Sequence, residues 1–233
     1  MAQAGLHGLV SLPVRRWGGQ REWLLLGIVL GSILPDGDNL AVAVATVTRV
    51  STEGLHRTFT HSLFTTAVVV LVFFMVSVFT RRSRWNNLGV GLGIGMLMHI
   101  ILDLIIWFDG VAILWPIPIW FNLWSNITPP TFWKTLMNPL EFLFIALFFY
   151  ALYDLARKQG SDMRFLKKLR FWIVLEGLLF LVFLALAYTL SKGFLTIFGL
   201  VYLMSLGLAI GVVIRMRATI ERPVKSPFQV VTA

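Results

Sequence analysis

The chain has 233 residues, of which 58% are hydrophobic and only 13% charged, with a mean hydropathy of +0.81; soluble domains run at about 45–50% and about 25%. A single water-soluble core of this size cannot hide so much apolar surface, which excludes a soluble globular enzyme and a disordered chain, and the absence of cysteine excludes a disulfide scaffold and thiolate metal sites. The net charge of +9 comes from 20 Lys+Arg against 11 Asp+Glu, and its placement between apolar segments accounts for it with no nucleic-acid partner.

A membrane-crossing helix needs about 20 apolar residues. The first stretch is only mildly apolar and precedes Arg15–Arg16, the reverse of a signal peptide, so the N-terminal region is expected in the mature protein. Residues 23–45 form the first span, interrupted by Asp36, Asp38 and Asn39. Pro35 and Gly37 disfavour a continuous helix, so this span is predicted to break at Pro35-Asp36-Gly37-Asp38. Residues 62–79 form the second span and residues 88–108 the third, which carries His99 and Asp103. Residues 109–134 are rich in Trp and Pro and read as an interfacial loop. Spans four to six are predicted over 140–155, 171–190 and 194–214, with Ser191-Lys192-Gly193 as a tight turn before the last. The expectation is an all-α, polytopic membrane helical bundle of six spans. Residues 1–137 would form a metal-site membrane domain, and residues 138–233 a further three-span region with a basic tail.

Positive charges alternate along this frame. Arg15, Arg16 and Arg21 precede span one; Arg81, Arg82 and Arg84 follow span two; six basic residues from Arg157 to Arg170 follow span four; Arg215, Arg217, Arg222 and Lys225 follow span six. The opposite loops hold only Arg49, Arg57, Lys134 and Lys192. Basic loops stay in the cytoplasm, so an integral membrane protein with both termini cytoplasmic is expected. The Gly27/Gly31 and Gly207/Gly211 pairs and the Gly89, Gly91, Gly93, Gly95 run are read as close helix packing.

Ionisable groups inside a span cost about 2.5–3.5 kcal/mol each and are functional by default. Three of the four histidines fall among the first three spans with the aspartates, and the C-terminal half has none. His99 and Asp103 are one turn apart on a helix and share a face, so both can reach one cation. Asp36 and Asp38 flank Gly37 at the expected break, where a turn can aim carboxylates at a metal. His56 and His61 would lie roughly 140° apart on an ideal helix; they converge if the segment is instead a loop entering span two, with Thr60 or Ser62 as its N-cap. Without thiolates, any metal must be held by His, Asp or Glu, which points to a borderline or hard cation. His7 precedes Arg15–Arg16, away from the others, and position alone leaves it open.

These segments, in this order, resemble the YdjM-like family of membrane-bound metal-dependent hydrolases. The matching residues are Leu34-Pro35-Asp36-Gly37-Asp38, His56-Arg57-Thr58-Phe59-Thr60-His61-Ser62, His99 to Asp103, Gly110 and Leu114-Trp115-Pro116. His7 falls where the family's early His belongs, though Gly8 follows it directly. The resemblance covers residues 7 to about 116 and implies His7, Asp36, Asp38, His56, His61, His99 and Asp103 as metal ligands. The ligand order is also similar to that of zinc-dependent phospholipases C and related single-strand nucleases, by analogy alone.

The expected activity is that of a membrane metal-dependent hydrolase of phosphodiesterase type. It would act on a lipid or lipid-linked phosphoester through water activated by a divalent ion, zinc above all. Arg57 would hold the phosphate, the N-terminus of span two would add backbone donors, and Asp38 or Asp36 would serve as general base instead of ligand. The alternative is a non-enzymatic membrane protein with a His/Asp metal site, such as a divalent-cation transporter. A site toward the outer half of the bilayer would make membrane lipid the partner.

Overall fold

The computed structural model describes residues 3–16, 21–190 and 193–222. Among these residues the chain is helical, and the only strand-like pairing is one antiparallel bridge between Val111 and Phe121. A short helix, α1 (Ala4–Ser11), comes first. The first long segment is α2 (Leu24–Ile33), a 3-10 turn (Leu34–Asp38) and α3 (Asn39–Thr48). Then follow α4 (Leu63–Thr80), α5 (Ser83–Ile106), α6 (Thr131–Gln159), α7 (Leu166–Thr189), α8 (Phe194–Arg215) and the short α9 (Arg217–Glu221). Six segments are long and apolar enough to cross a membrane, so the chain is an all-α polytopic bundle.

The first span breaks where Pro35 predicts, and the break is a tightening into 3-10 geometry. Ser62 caps α4, its Oγ accepting a hydrogen bond from Phe64 N at 3.1 Å. The fourth span is longer than 140–155: α6 starts directly after Pro129-Pro130 and continues through Pro139. Helices in lipid tolerate an internal Pro because neighbouring groups take up the freed backbone atoms. Glu141 therefore lies well inside the helix and is fully buried. α7 begins at Leu166, which puts Lys167, Lys168 and Arg170 on its first turns. Of the tight turn expected before α8, Ser191 and Lys192 lie outside the described residues, while Gly193 has the left-handed φ of +79° that glycine favours.

Glycines decide which helices touch. A Cβ at Gly31 would lie 2.3 Å from Leu92 O, and one at Gly95 would lie 2.2 Å from Ile28 O. α2 and α5 thus approach backbone to backbone along Gly27, Gly31, Gly91 and Gly95. The intervening Gly89 and Gly93 face the other way, where a Cβ would strike Phe73 and Val70 of α4 at 2.5 and 2.6 Å. α5 is thereby held between α2 and α4. Gly207 and Gly211, although they match the same pattern, have nothing within 4 Å of a Cβ position among the described residues and form no packing seam with them. The expectation for that pair is corrected: spacing alone does not supply a partner.

α1 turns into the bundle and packs against α2 and α6. A Cβ at Gly5 would lie 2.3 Å from Ile145 N, and one at Gly8 would lie 3.1 Å from both Ile33 Cδ1 and Phe148 Cε2. Small residues let α1 sink between its neighbours, burying His7 and Ser11. α4 and α7, by contrast, expose most of their apolar length, α4 burying only Thr66, as suits helices that meet lipid.

Replacing Gly31 by Leu should force α2 and α5 apart and destabilise the protein by about 1–3 kcal/mol, the usual cost of overpacking. Gly207→Leu should stay within about 0.5 kcal/mol of the parent. Thermal unfolding of the two variants in detergent checks this, and equal stability in both would contradict the seam.

Candidate metal centre

Residues two apart in a 3-10 turn project about 120° apart. Asp36 and Asp38, both 1% exposed, therefore reach different partners. Asp36 faces α5 and α1: its Oδ2 accepts from Gln3 N at 3.2 Å, and its Oδ1 lies 3.7 Å from His99 Nε2. Asp38 faces the segment before α4. Its Oδ1 accepts from His56 Nδ1 (2.8 Å) and Asn39 Nδ2 (3.2 Å), and its Oδ2 accepts from Arg57 N (2.9 Å) and Thr60 Oγ1 (3.1 Å). His61 Nδ1 stands 3.3 Å from the same Oδ2. With both oxygens engaged by protein donors, Asp38 organises the loop and orients His61.

His99 and Asp103 project from one face of α5, as their spacing predicts. His99 Nδ1 lies 2.8 Å from Ser32 O. A carbonyl only accepts, so Nδ1 carries the proton and Nε2 points its lone pair inward. That Nε2 lies 3.0 Å from His61 Nε2. Two ring nitrogens this close need a shared proton or a cation between them. In the metal-free protein burial opposes a charge on His61, but hydrogen bonds to Asp103 and Asp38 win and push its pKa up to about 9. His7 completes the group, stacked on His99 with ring centroids 3.7 Å apart and with Nε2 3.1 Å from Asp103 Oδ1.

Donor atoms of Asp36, His61 and His99 lie within 4.8 Å of one another, as do those of His7, His99 and Asp103. Asp36 Oδ1 and His7 Nδ1 are buried without a hydrogen bond among the described residues. Nitrogen and carboxylate donors, turned inward and partly unsatisfied, fit a zinc-like divalent ion. Asp36 is the midpoint of its 25-residue span, and Asp103 sits near the end of α5. The cluster therefore extends from mid-bundle toward the end where α5 finishes.

His56 stands behind Asp38, 20% exposed, its ring 5.7 Å from that of His61. Burial lowers its pKa to about 4, outweighing the Asp38 hydrogen bond, so it is neutral at pH 7. Arg57 is buried, with Nε 3.2 Å from Asp103 Oδ2 and its guanidinium 4.8 Å from the centre of the Trp107 ring. Its backbone adopts φ +59°, a left-handed conformation that costs a non-glycine residue about 1–2 kcal/mol. Hydrogen bonds on either side hold it there: its N–H donates to Asp38 and its carbonyl accepts from Ala112 N at 2.9 Å. The stretch from Trp107 to Phe121 straps the loop further, with Leu63 N donating to Ile113 O at 2.9 Å and Ser62 Oγ to Trp115 O at 2.8 Å. The first N–H groups of α4 are thus taken by Ile113 and by the Ser62 cap, and do not form the anion site expected of that helix end.

The family model described as YdjM inner membrane protein matches residues 4–193. The chain belongs to this family. Curated proteins and solved structures offer no match. The YdjM match covers the whole cluster from His7 onward and continues past the motif-bearing segments through α6 and α7. It agrees with the apolar helices in placing the chain in a membrane.

Two residues that support the cluster carry no motif. Glu141 Oε1 accepts from Gly5 N at 3.1 Å, and Gln3 Nε2 donates to Met137 O at 3.2 Å. Together they dock α1 on α6 and so set the place of His7. A Glu inside a span was the available signal; with span four expected over 140–155, Glu141 stands at its end, whereas α6 carries it well inside.

Asp38→Asn should cost about 3–5 kcal/mol, the range for breaking a buried charged network, because the new amide would face donors. Thr60→Val, which removes one of those donors, should cost only about 1 kcal/mol. Unfolding of the metal-free variants in detergent tests the ranking; a mild Asp38→Asn would show that the loop is organised elsewhere.

Proposed function

We propose that the protein is an integral membrane metal-dependent hydrolase acting on the phosphoester of a lipid or lipid-linked substrate. The observation that carries the reading is the convergence of Asp36, His61, His99 and Asp103, buried and partly unsatisfied, inside an apolar bundle. A divalent ion held there would acidify a bound water and polarise a phosphoryl oxygen. His61 and His99 offer Nε2 as donors because Asp38 and Ser32 O engage the opposite ring nitrogens. Asp36 offers an oxygen that meets no hydrogen-bond donor among the described residues, Asp103 turns Oδ2 toward His61 and Arg57, and His7 braces Asp103 from the far side. Arg57 fixes Asp103 and places a permanent positive charge within the cluster, which suits an anionic substrate and opposes conduction of cations. His56, neutral and partly exposed, is able to take up a proton beside Asp38.

The alternation of basic loops supports an orientation with the α4–α5 and α6–α7 connections in the cytoplasm. Cysteines placed near Arg82 and Arg164 should then be shielded from an impermeant thiol reagent in intact cells, and one near Lys134 should label. The reverse pattern would overturn the orientation.

Purified protein should carry a divalent ion, lost in His99→Ala and in Asp36→Ala together with hydrolysis of a chromogenic phosphodiester. The ion must displace the His61 proton, so binding should release protons and weaken roughly tenfold per unit as pH falls below about 9. The metal-free fold should respond with the opposite sign. A raised His61 pKa stabilises it fully below the ordinary 6.5, and that contribution is lost as pH rises through about 9. Calorimetry in two buffers of different ionisation enthalpy reads the proton release, and elemental analysis of the variants reads the ion. Metal that persists in both variants would remove the cluster from the role proposed.

A further inference from the structure

A cavity of about 380 Å³ lies between α3, α6 and α8, at the end of the bundle where α3 finishes and α8 begins. Its volume falls within the range of small-molecule sites, about 300–1,000 Å³. Its two ends differ in chemistry. Val47, Leu195 and Leu200, all exposed on the bundle surface, line one part, so the cavity opens toward the apolar surroundings of the helices. His56, Asn138 and Tyr202 line the other. His56 is the residue that bonds Asp38, so this polar end adjoins the metal cluster.

Asn138 and Tyr202 give the second, independent sign of a ligand. They are 5% and 2% exposed, and Asn138 Oδ1 and Tyr202 Oη have no hydrogen-bond partner among the described residues. Leaving such atoms buried and unpaired is costly, a penalty that a ligand with its own polar groups would remove. The missing partner must be apolar along its length and must carry both a hydrogen-bond donor, for Asn138 Oδ1, and a group that pairs with a phenol.

We propose that this cavity holds one acyl chain of a bilayer glycerophospholipid, admitted sideways between α3 and α8. An ester carbonyl of its glycerol portion would accept from Tyr202 Oη, a hydroxyl or ammonium group of its headgroup would donate to Asn138 Oδ1, and its phosphate would lie toward His56 and the metal cluster. The glycerol linkage is the distinguishing element. A polyprenyl phosphate is apolar up to its phosphate and offers nothing to the two unpaired atoms at that depth. The inference rests on the hydrolase reading for the fate of the phosphate but not for occupancy, which can be measured without turnover.

The test uses a phosphatidylglycerol with a mid-chain diazirine, in vesicles of unlabelled phosphatidylethanolamine and phosphatidylglycerol containing the full-length protein. After photolysis, labelled peptides are mapped by mass spectrometry. Labelling should concentrate on α3 and the first half of α8, above the level on the lipid-exposed faces of α4 and α7. Gly199 lines the cavity, and a Cβ there would meet nothing within 4 Å, so Gly199→Trp should fill it without disturbing a neighbour. Cavity labelling should fall by at least about tenfold, a loss of roughly 1.4 kcal/mol of binding, with α4 labelling and metal content unchanged. Tyr202→Phe keeps the shape and should reduce labelling by about fivefold, the size of one net hydrogen bond. Equal labelling of every apolar face, or no response to Gly199→Trp, would overturn the site. Equal capture of a diazirine polyprenyl phosphate, indifferent to Tyr202→Phe, would overturn the glycerolipid assignment. Labelling that behaves as expected while hydrolysis is absent would keep the lipid site and remove the enzyme.

Discussion

Three aspartates buried in an apolar bundle have to be matched by donors or cations, and much of the architecture follows from how this is done. Asp38 is satisfied locally: a loop that would otherwise be loose folds back so that its histidines, its threonine and a backbone N–H all point at one residue. Asp103 is answered by Arg57 from that loop and by His7 from a different part of the chain. Asp36 is answered less fully, by the backbone N–H of Gln3. Ions in low dielectric are tolerated only with such matching. The uneven completion locates the chemistry, because the group least compensated by protein is the one with most to gain from an added cation.

The geometry needed for that matching is provided by elements with no charge at all. The glycine seam between α2 and α5 sets their backbones at contact distance, which brings Ser32 O within reach of His99 Nδ1 and fixes the ring. Alternate glycines on α5 admit α4 on the other side, and α4 begins with the residues that hold His61. One helix thus registers both halves of the cluster, and a displacement of either neighbour would move one of its members. The strap from Trp107 to Phe121 acts on the same assembly from the end, pinning Arg57 in a backbone conformation that it would not adopt alone.

Much of this was legible in the sequence because it is local. Apolar length gave six spans, Pro35 gave the break, and the turn-spaced pair His99 and Asp103 gave a shared face. Ser62 was readable as a cap. What could not be read depends on contacts between distant segments. Nothing near His7 announces that α1 turns inward, since its docking rests on Glu141 and Met137, more than 130 residues away. Nor does sequence say which carboxylate has its oxygens already occupied, which is how Asp38 and Asp36, alike in the motif, come to differ. Gly27/Gly31 and Gly207/Gly211 make the same point in apolar terms: identical spacing, one pair at van der Waals contact and the other facing open space.

The docking of α1 on α6 also bears on how the molecule is made. Synthesis delivers α1 first, yet its seat on α6 does not exist until the fourth span has been threaded into the bilayer. His7 must therefore wait, with its helix unanchored, through the insertion of three spans. The cluster reaches its final composition as a late event of biogenesis, after the ribosome has passed Glu141. An ion captured earlier would be held by an incomplete set of donors. Docking of the N-terminal helix thus completes the buried His and Asp cluster only once the fourth span is in place.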